Sequence, residues 1–410
     1  MTDIKKLLLI TGVALLITSC GNKKNDSSSP TSGDPSSSSQ GDRPTELIPY
    51  ENEVRMLFDH GKVGESRYYN YCPSVFIENN KQYVYYCTNQ LEGNVTDYIG
   101  YREGVVANNQ AQYSDLSYVL EHGQLAQNAW DSRHVCDPSV TKGEFKFHGE
   151  TYNYLMAFLG CISSDCTLNE TGIAVSKTPN GPWIKCDFKT DGTTKINPIV
   201  PCSDFDITGN AWGTGQPSVF SVDGKGRVLL FTSIGSATGT YTNLREYDFS
   251  NIDEYVKIRE KKAISTTGIR AFSTGANIIC NADFAYDVEN RRILMVKGRL
   301  PFGRDHKAPD IVADTLDVYY IEDTEGTNVG DVLFAGNNTT KQWKLIDSID
   351  QSKTGFLRNH NAGLITDPYG HYIPNGRIGV AFSRSDEGAS SNWSYLCTYR
   401  IYATSVTYNV

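Results

Sequence analysis

A short motif recurs along this chain with a different chemical group at its head each time. Cys72-Pro73-Ser74-Val75-Phe76, Asp137-Pro138-Ser139-Val140 and Gln216-Pro217-Ser218-Val219-Phe220 are near variants of one another. Asp283-Phe284-Ala285-Tyr286 and Asn361-Ala362-Gly363-Leu364 are looser versions. The heads are a thiol, two carboxyls and two amides, set 65, 79, 67 and 78 residues apart. Carboxylates and amides grip hydroxyl groups through paired hydrogen bonds, and aromatic faces cover C–H surface. Trp130, Asp131 and His134 come shortly before the second motif, Trp212 before the third and His360 before the fifth, while Glu170 precedes a strand-like run. If the heads converge, these neighbours are expected around the same mouth. Such a lining suits a neutral polyhydroxylated ligand.

Convergence requires a repeated element. Each head is followed by a turn, a second apolar run and a third. The second runs are Tyr83–Cys87, Tyr152–Leu159, Val228–Thr232, Ile293–Val296 and Ile378–Phe382. The third are Tyr98–Arg102, Gly172–Ser176, Asn243–Tyr247, Val318–Ile321 and Tyr395–Tyr402. All are short, rich in β-branched and aromatic residues, and bounded by Gly, Asn, Asp or Pro, which predicts strands. Five sheet units that cannot each bury both faces predict radial stacking, hence an all-β, five-bladed β-propeller. First strands would line the central channel and aim Cys72, Asp137, Gln216, Asp283 and Asn361 at one end of it.

The 410 residues are 39% hydrophobic and 11% aromatic, enough for a large buried core. A formal charge of −9 argues against nucleic acid as a partner. Lys5 and Lys6 precede an apolar run from Leu7 to Ile17 that ends in Thr18-Ser19-Cys20. This run is shorter than a bilayer span and reads as a signal segment. It resembles a bacterial lipobox, with residues 1–19 removed and Cys20 lipidated. Residues 20–46 form a Ser/Pro/Gly-rich tether reaching roughly 25–30 Å as a random coil. The body, 47–410, would be a monomeric propeller outside the cytoplasm, in contact with membrane only through its anchor.

Nine cysteines follow Cys20. The odd count leaves at least one thiol free. Cys161 with Cys166, and Cys186 with Cys202, are the candidate pairs. No spacing among them resembles a zinc motif.

The Asp-Pro-Ser-Val starts, Thr171-Gly172-Ile173-Ala174-Val175-Ser176 running into Gly181-Pro182-Trp183, and His360-Asn361-Ala362-Gly363 together resemble the five-bladed glycosidases. The family compared is glycoside hydrolase family 43, with its clan of arabinanases and β-xylosidases. The resemblance covers about residue 55 to the C-terminus, by architecture more than by identity. It implies cleavage of arabinose-, xylose- or galactose-type glycosidic bonds. A first-blade aspartate would be the general base, a second-blade aspartate the orienting group and a third-blade glutamate the general acid. Only Asp137 matches. Cys72 stands at the base position and Gln216 at the acid position, and an amide has no titrating proton. Asp137 is therefore expected as base or orienting carboxylate, with Glu170 or Asp283 as proton donor. Trp130, Asp131, His134, Trp212, Gln216 and Asn361 are expected to contact substrate. The chemistry requires no cofactor. The resemblance implies a calcium ion on the axis near His360, against the equal alternative of a buried histidine donating to a carbonyl. A non-catalytic glycan-binding lipoprotein and a sugar phosphorylase are the competing functions.

Overall fold

The computed structural model describes residues 45–59, 68–91, 95–123, 129–163, 165–189, 191–192, 195–270, 278–299, 312–336, 340–385 and 396–409. The expected signal segment, Cys20 and the expected tether up to residue 44 lie outside them. In chain order the strands begin with β1 (Arg55–Phe58). A first unit follows: β2 (Asn70–Glu78), β3 (Lys81–Asn89), β4 (Asp97–Ala107), β5 (Gln110–Tyr113) and β6 (Ser117–Leu120). The second is β7 (His134–Phe147), β8 (Glu150–Cys161), β9 (Glu170–Ser176) and β10 (Ile184–Lys185). The third is β11 (Gly213–Ser221), β12 (Arg227–Ser236), β13 (Gly239–Asp248) and β14 (Val256–Lys261). The fourth is β15 (Ala282–Asp287), β16 (Arg292–Gly298), β17 (Leu316–Glu322) and β18 (Lys344–Ile349). The last is β19 (Arg358–Thr366), β20 (Arg377–Ser385) and β21 (Arg400–Thr407), with β1 added as its outer strand.

Within each unit the strands run antiparallel from the inside outward. The expected second strands all form, longer than expected at both ends. Of the third strands, Tyr395–Tyr402 is shifted: the strand starts at Arg400.

Apolar side chains fill the seams between units. Alternate residues of one strand point to opposite faces, so Val228 and Leu230 enter the seam with the second unit while Leu229 and Phe231 enter the seam with the fourth. Three further clusters occupy the seams between units one and two, four and five, and five and one. This is why the inner strands are nearly continuous apolar runs: both faces are covered. The arrangement is a β-propeller.

The serines of the repeated motif tie the seams together near the axis. Ser74 Oγ accepts from the Val140 N–H at 3.3 Å, Ser139 Oγ from Val219 at 2.9 Å, and Ser218 Oγ from Phe284 at 2.9 Å. Asp283 holds the corresponding place in the fourth unit, and its Oδ2 accepts from the Leu364 N–H at 2.7 Å. The fifth unit has Gly363 there instead. A Cβ on Gly363 would lie 2.1 Å from the Pro73 carbonyl oxygen. That close approach lets β19 pair in parallel with β2, joining Ile365 to Val75 and closing the ring.

Candidate functional site

One residue ahead of each Pro or Ala, the chain adopts positive φ: Cys72 (49°), Asp137 (48°), Gln216 (45°), Asn281 (49°) and Asn361 (45°). In four units the strand register slips at this point, a β-bulge. A bulge breaks the in–out alternation and re-aims one side chain, here toward the axis. Positive φ costs energy in residues other than glycine, and Asn and Asp tolerate it best. The proline after three of these heads has no N–H to leave unpaired at the break.

The five heads line one pocket of about 370 Å³, its open mouth included. They also touch one another in sequence around the axis. The Cys72 thiol donates to the Asp137 carboxylate, and the Gln216 N–H donates to the same carboxylate. The Asn281 N–H donates to Gln216 Oε1 at 3.0 Å, and Asn281 Nδ2 donates to Asn361 Oδ1. The Cys72 N–H donates to Ser383 Oγ at 3.2 Å on the fifth unit. Burial raises Asp137 to about 6, the Cys72 hydrogen bond opposing it. Burial also pushes the Cys72 thiol well above its ordinary value, with the Asp137 charge adding to it. The result is a titratable carboxylate set among amides and a neutral thiol.

The head of the fourth motif is Asn281, two residues earlier than the sequence reading placed it. Asn281-Ala282-Asp283 parallels Asn361-Ala362-Gly363, a signal visible in the chain but masked by the more conspicuous aspartate. Asp283 lines the pocket, yet it occupies the serine place. Its Oδ1 accepts from Ser218 Oγ at 2.6 Å and its Oδ2 from Leu364. Burial raises it to about 6, against those hydrogen bonds.

Glu170, expected as proton donor, does not line this pocket. It opens β9, opposite Gly160 and two strands out from the axis, where its carboxylate accepts from the Cys202 N–H at 2.9 Å. The rim residues around the second motif are likewise committed elsewhere. Trp130 lies over Gly160 and Gly172, where a Cβ would come within 2.2 and 2.6 Å of its ring, so it packs inside the unit. Asp131 is buried and paired with Lys185. His134 is buried 3.4 Å from the Asp97 carboxylate, with Nε2 facing Cys166 Sγ at 3.8 Å. Trp212 is half-buried against Gly215 and Gly235 and joins a cluster with Cys72, Cys87 and Cys136. Each falls within a few residues of a head, but packing or pairing holds it away from the pocket.

His360 is buried, and burial lowers it to about 3, with the Arg358 charge adding to the effect. Its Nδ1 accepts the Ala313 N–H at 3.2 Å, which places the ring proton on Nε2, beside the Asn281 amide at 3.2 Å. A ring so engaged offers no lone pair to a cation, and calcium takes oxygen ligands. The residues here do not fit the expected calcium.

The cysteine pairing also differs from expectation. Cys87 and Cys136 form the disulfide, while Cys161, Cys166, Cys186 and Cys202 are free thiols. Cys87 lies near the end of the second strand of one unit and Cys136 near the start of the first strand of the next, so the seam brings them together.

Sheet units around an axial pocket headed by polar side chains define a propeller of the kind found in glycoside hydrolases. A family 117 glycoside hydrolase of the marine bacterium Zobellia galactanivorans shares the fold at a TM-score of 0.51 and 11% identity, over 88% of this chain and 91% of that one. A family 62 hydrolase solved in complex with xylotriose aligns at 0.51 and 12% identity, over 89% and 98%. The catalytic domain of a Coprinopsis cinerea family 62 α-L-arabinofuranosidase aligns at 0.50 and 11%, over 88% and 98%. No protein-family model and no curated protein matches the sequence.

Proposed function

We propose that this protein is a glycoside hydrolase-like protein that acts on glycosidic bonds of oligo- or polysaccharides carrying arabinose-, xylose- or galactose-type sugars. The observation that carries the reading is the meeting of Asp137 with the amide heads Gln216, Asn281 and Asn361 in one axial pocket. The propeller fold shared with arabinofuranosidase and xylotriose-bound structures supports the sugar class. Asp137 is the proton-accepting or orienting carboxylate. Asp283 is the second carboxyl lining the pocket among the described residues, and bond cleavage with inversion uses two. The lipobox-like run ending at Cys20 supports placing the body outside the cytoplasm, held to a membrane by acyl chains.

The test is an assay of the chain from residue 45 onward against aryl-glycosides and arabino-, xylo- and galacto-oligosaccharides. Asp137→Asn should lose activity on the order of 10²-fold or more, while Glu170→Gln should stay close to the parent. Full activity in Asp137→Asn would remove the assignment. A specific observation favours a second reading, glycan binding without cleavage: Gln216 stands where a proton donor belongs, and Asp283 spends both oxygens on the seams. Saturable oligosaccharide binding with no turnover at any pH would select it.

A further inference from the structure

Three sulfur atoms and a carboxylate meet at the edge of the pocket, which Cys72 and Asp137 line. The ligand atoms of Cys72, Cys87, Cys136 and Asp137 all lie within 4.8 Å of one another. Cys87 and Cys136 are joined as a disulfide, and Cys72 is a free thiol beside them. Tetrahedral zinc with thiolates at about 2.3 Å places its sulfurs about 3.8 Å apart. The four groups are therefore near the spacing a zinc ion requires once the S–S bond opens.

Hydrogen-bond donors already point at these sulfurs. The Asp137 N–H lies 2.9 Å from Cys87 Sγ, and the Tyr71 hydroxyl lies 3.1 Å from Cys136 Sγ. A disulfide sulfur is a weak acceptor, whereas a metal-bound thiolate takes such bonds readily, and outer groups of this kind tune a metal site. The Gln216 N–H orients the Asp137 carboxylate in the same way. Three thiolates and a carboxylate around Zn²⁺ leave a net charge of about −2, which these three donors help to offset. Thiolate ligands select zinc over calcium or magnesium.

We propose that the reduced protein binds one zinc ion through Cys72, Cys87, Cys136 and Asp137, so that the disulfide and the metal site are alternative states of the same groups. A dithiol supplies two electrons and two protons to the Cys87–Cys136 bond and leaves as its own disulfide. Zinc then displaces the three thiol protons to solvent and takes the ionised Asp137 carboxylate. In the oxidised state Asp137 faces the pocket; in the zinc state it is a ligand. The binding itself does not depend on whether the pocket cleaves sugars.

The experiment uses the full chain, reduced with a dithiol, freed of it under argon, mixed with zinc chloride and desalted before elemental analysis. One equivalent of zinc is expected in the reduced protein and none in the oxidised one. Cobalt(II) in place of zinc should give thiolate-to-metal charge-transfer bands and tetrahedral d–d bands. Cys72→Ser keeps the disulfide for folding and should lose the zinc; Asp137→Asn should weaken binding at least about tenfold. Cys186→Ser, a buried thiol in a different seam, should bind like the parent. Equal zinc in the reduced and oxidised proteins, or a full equivalent in folded Cys72→Ser, overturns the proposal. So does a reduced protein that loses its circular-dichroism signal without taking up metal.

Discussion

The N–H of Asn281 donates to Oε1 of Gln216 at 3.0 Å, so the head of the third unit is held by the backbone of the fourth. The amide at the position where the resemblance calls for a proton donor is thus fixed in place by a neighbour that needs only an oxygen acceptor. A glutamate offers the same oxygen. Gln216→Glu should therefore fold with an unchanged melting temperature. It should also raise turnover of glycosides with poor leaving groups on the order of 10²-fold, since general-acid catalysis contributes that much. A well-folded variant with no gain would mean the missing acid is not what limits the chemistry.

Ser218 bridges two units through Asp283 Oδ1 and the Phe284 N–H. Ser218→Ala leaves buried polar groups short of a partner and should cost about 1–3 kcal/mol, read by urea unfolding. Asp283→Ala strips the Leu364 N–H and the Ser218 hydroxyl at once and should cost more. Unfolding midpoints equal to the parent's would show that these bonds do not hold the seam.

Gly363 lies where the first and last units meet. With a Cβ 2.1 Å from a backbone oxygen, no side-chain movement can relieve Gly363→Ala. The strands must separate, at a cost of about 1–3 kcal/mol or more. A melting temperature equal to the parent's would disprove the closure as described.

Asp137 titrates near 6, against an ordinary value of 3.8, chiefly because it is buried. Between those values the folded state binds more protons than the unfolded one. Its contribution thus favours folding below the unfolded value and is lost as pH rises through 6. Asp137→Asn removes this dependence, so its melting temperature relative to the parent should climb between about pH 4 and about pH 7. If Asp137 is the base, activity of the parent should fall away below about pH 6. A difference between the two proteins that is flat across this range would contradict the burial.

The engaged ring of His360 predicts no dependence on calcium. A chelator selective for calcium should leave the melting temperature and any glycan affinity unchanged. A fall of several degrees, restored by calcium, would show a cation site that does not use the His360 ring.

The motif repeats were readable because a propeller places the same physical demands on every unit. The head position takes positive φ in all five units, the break favours proline in three, and in four the seam takes a hydroxyl or carboxylate two residues later, with Gly363 in the fifth. Those demands appear as Asp137-Pro138-Ser139 and Gln216-Pro217-Ser218. The fourth copy was misread because Asn281-Ala282-Asp283 meets the demands with different residues, the carboxylate taking over the serine's task. Trp130 and Asp131 precede β7, His134 opens it ahead of the register slip, and Glu170 opens a strand two places out from the axis, so none of them is carried to the pocket. Nearness to a head along the chain does not bring a side chain to the axis; only the bulge position itself is aimed there.

From the sequence alone came the all-β class, the repeated units and four of the five pocket heads, because strand alternation and turn chemistry are local and leave a periodic trace. The folded chain decided the rest: the Cys87–Cys136 bond and the gathering of Cys72 and Asp137 with those sulfurs. Such contacts form across seams between segments about fifty or more residues apart. Which residues meet there is set by how units stack around the axis, and no local pattern along the chain encodes it.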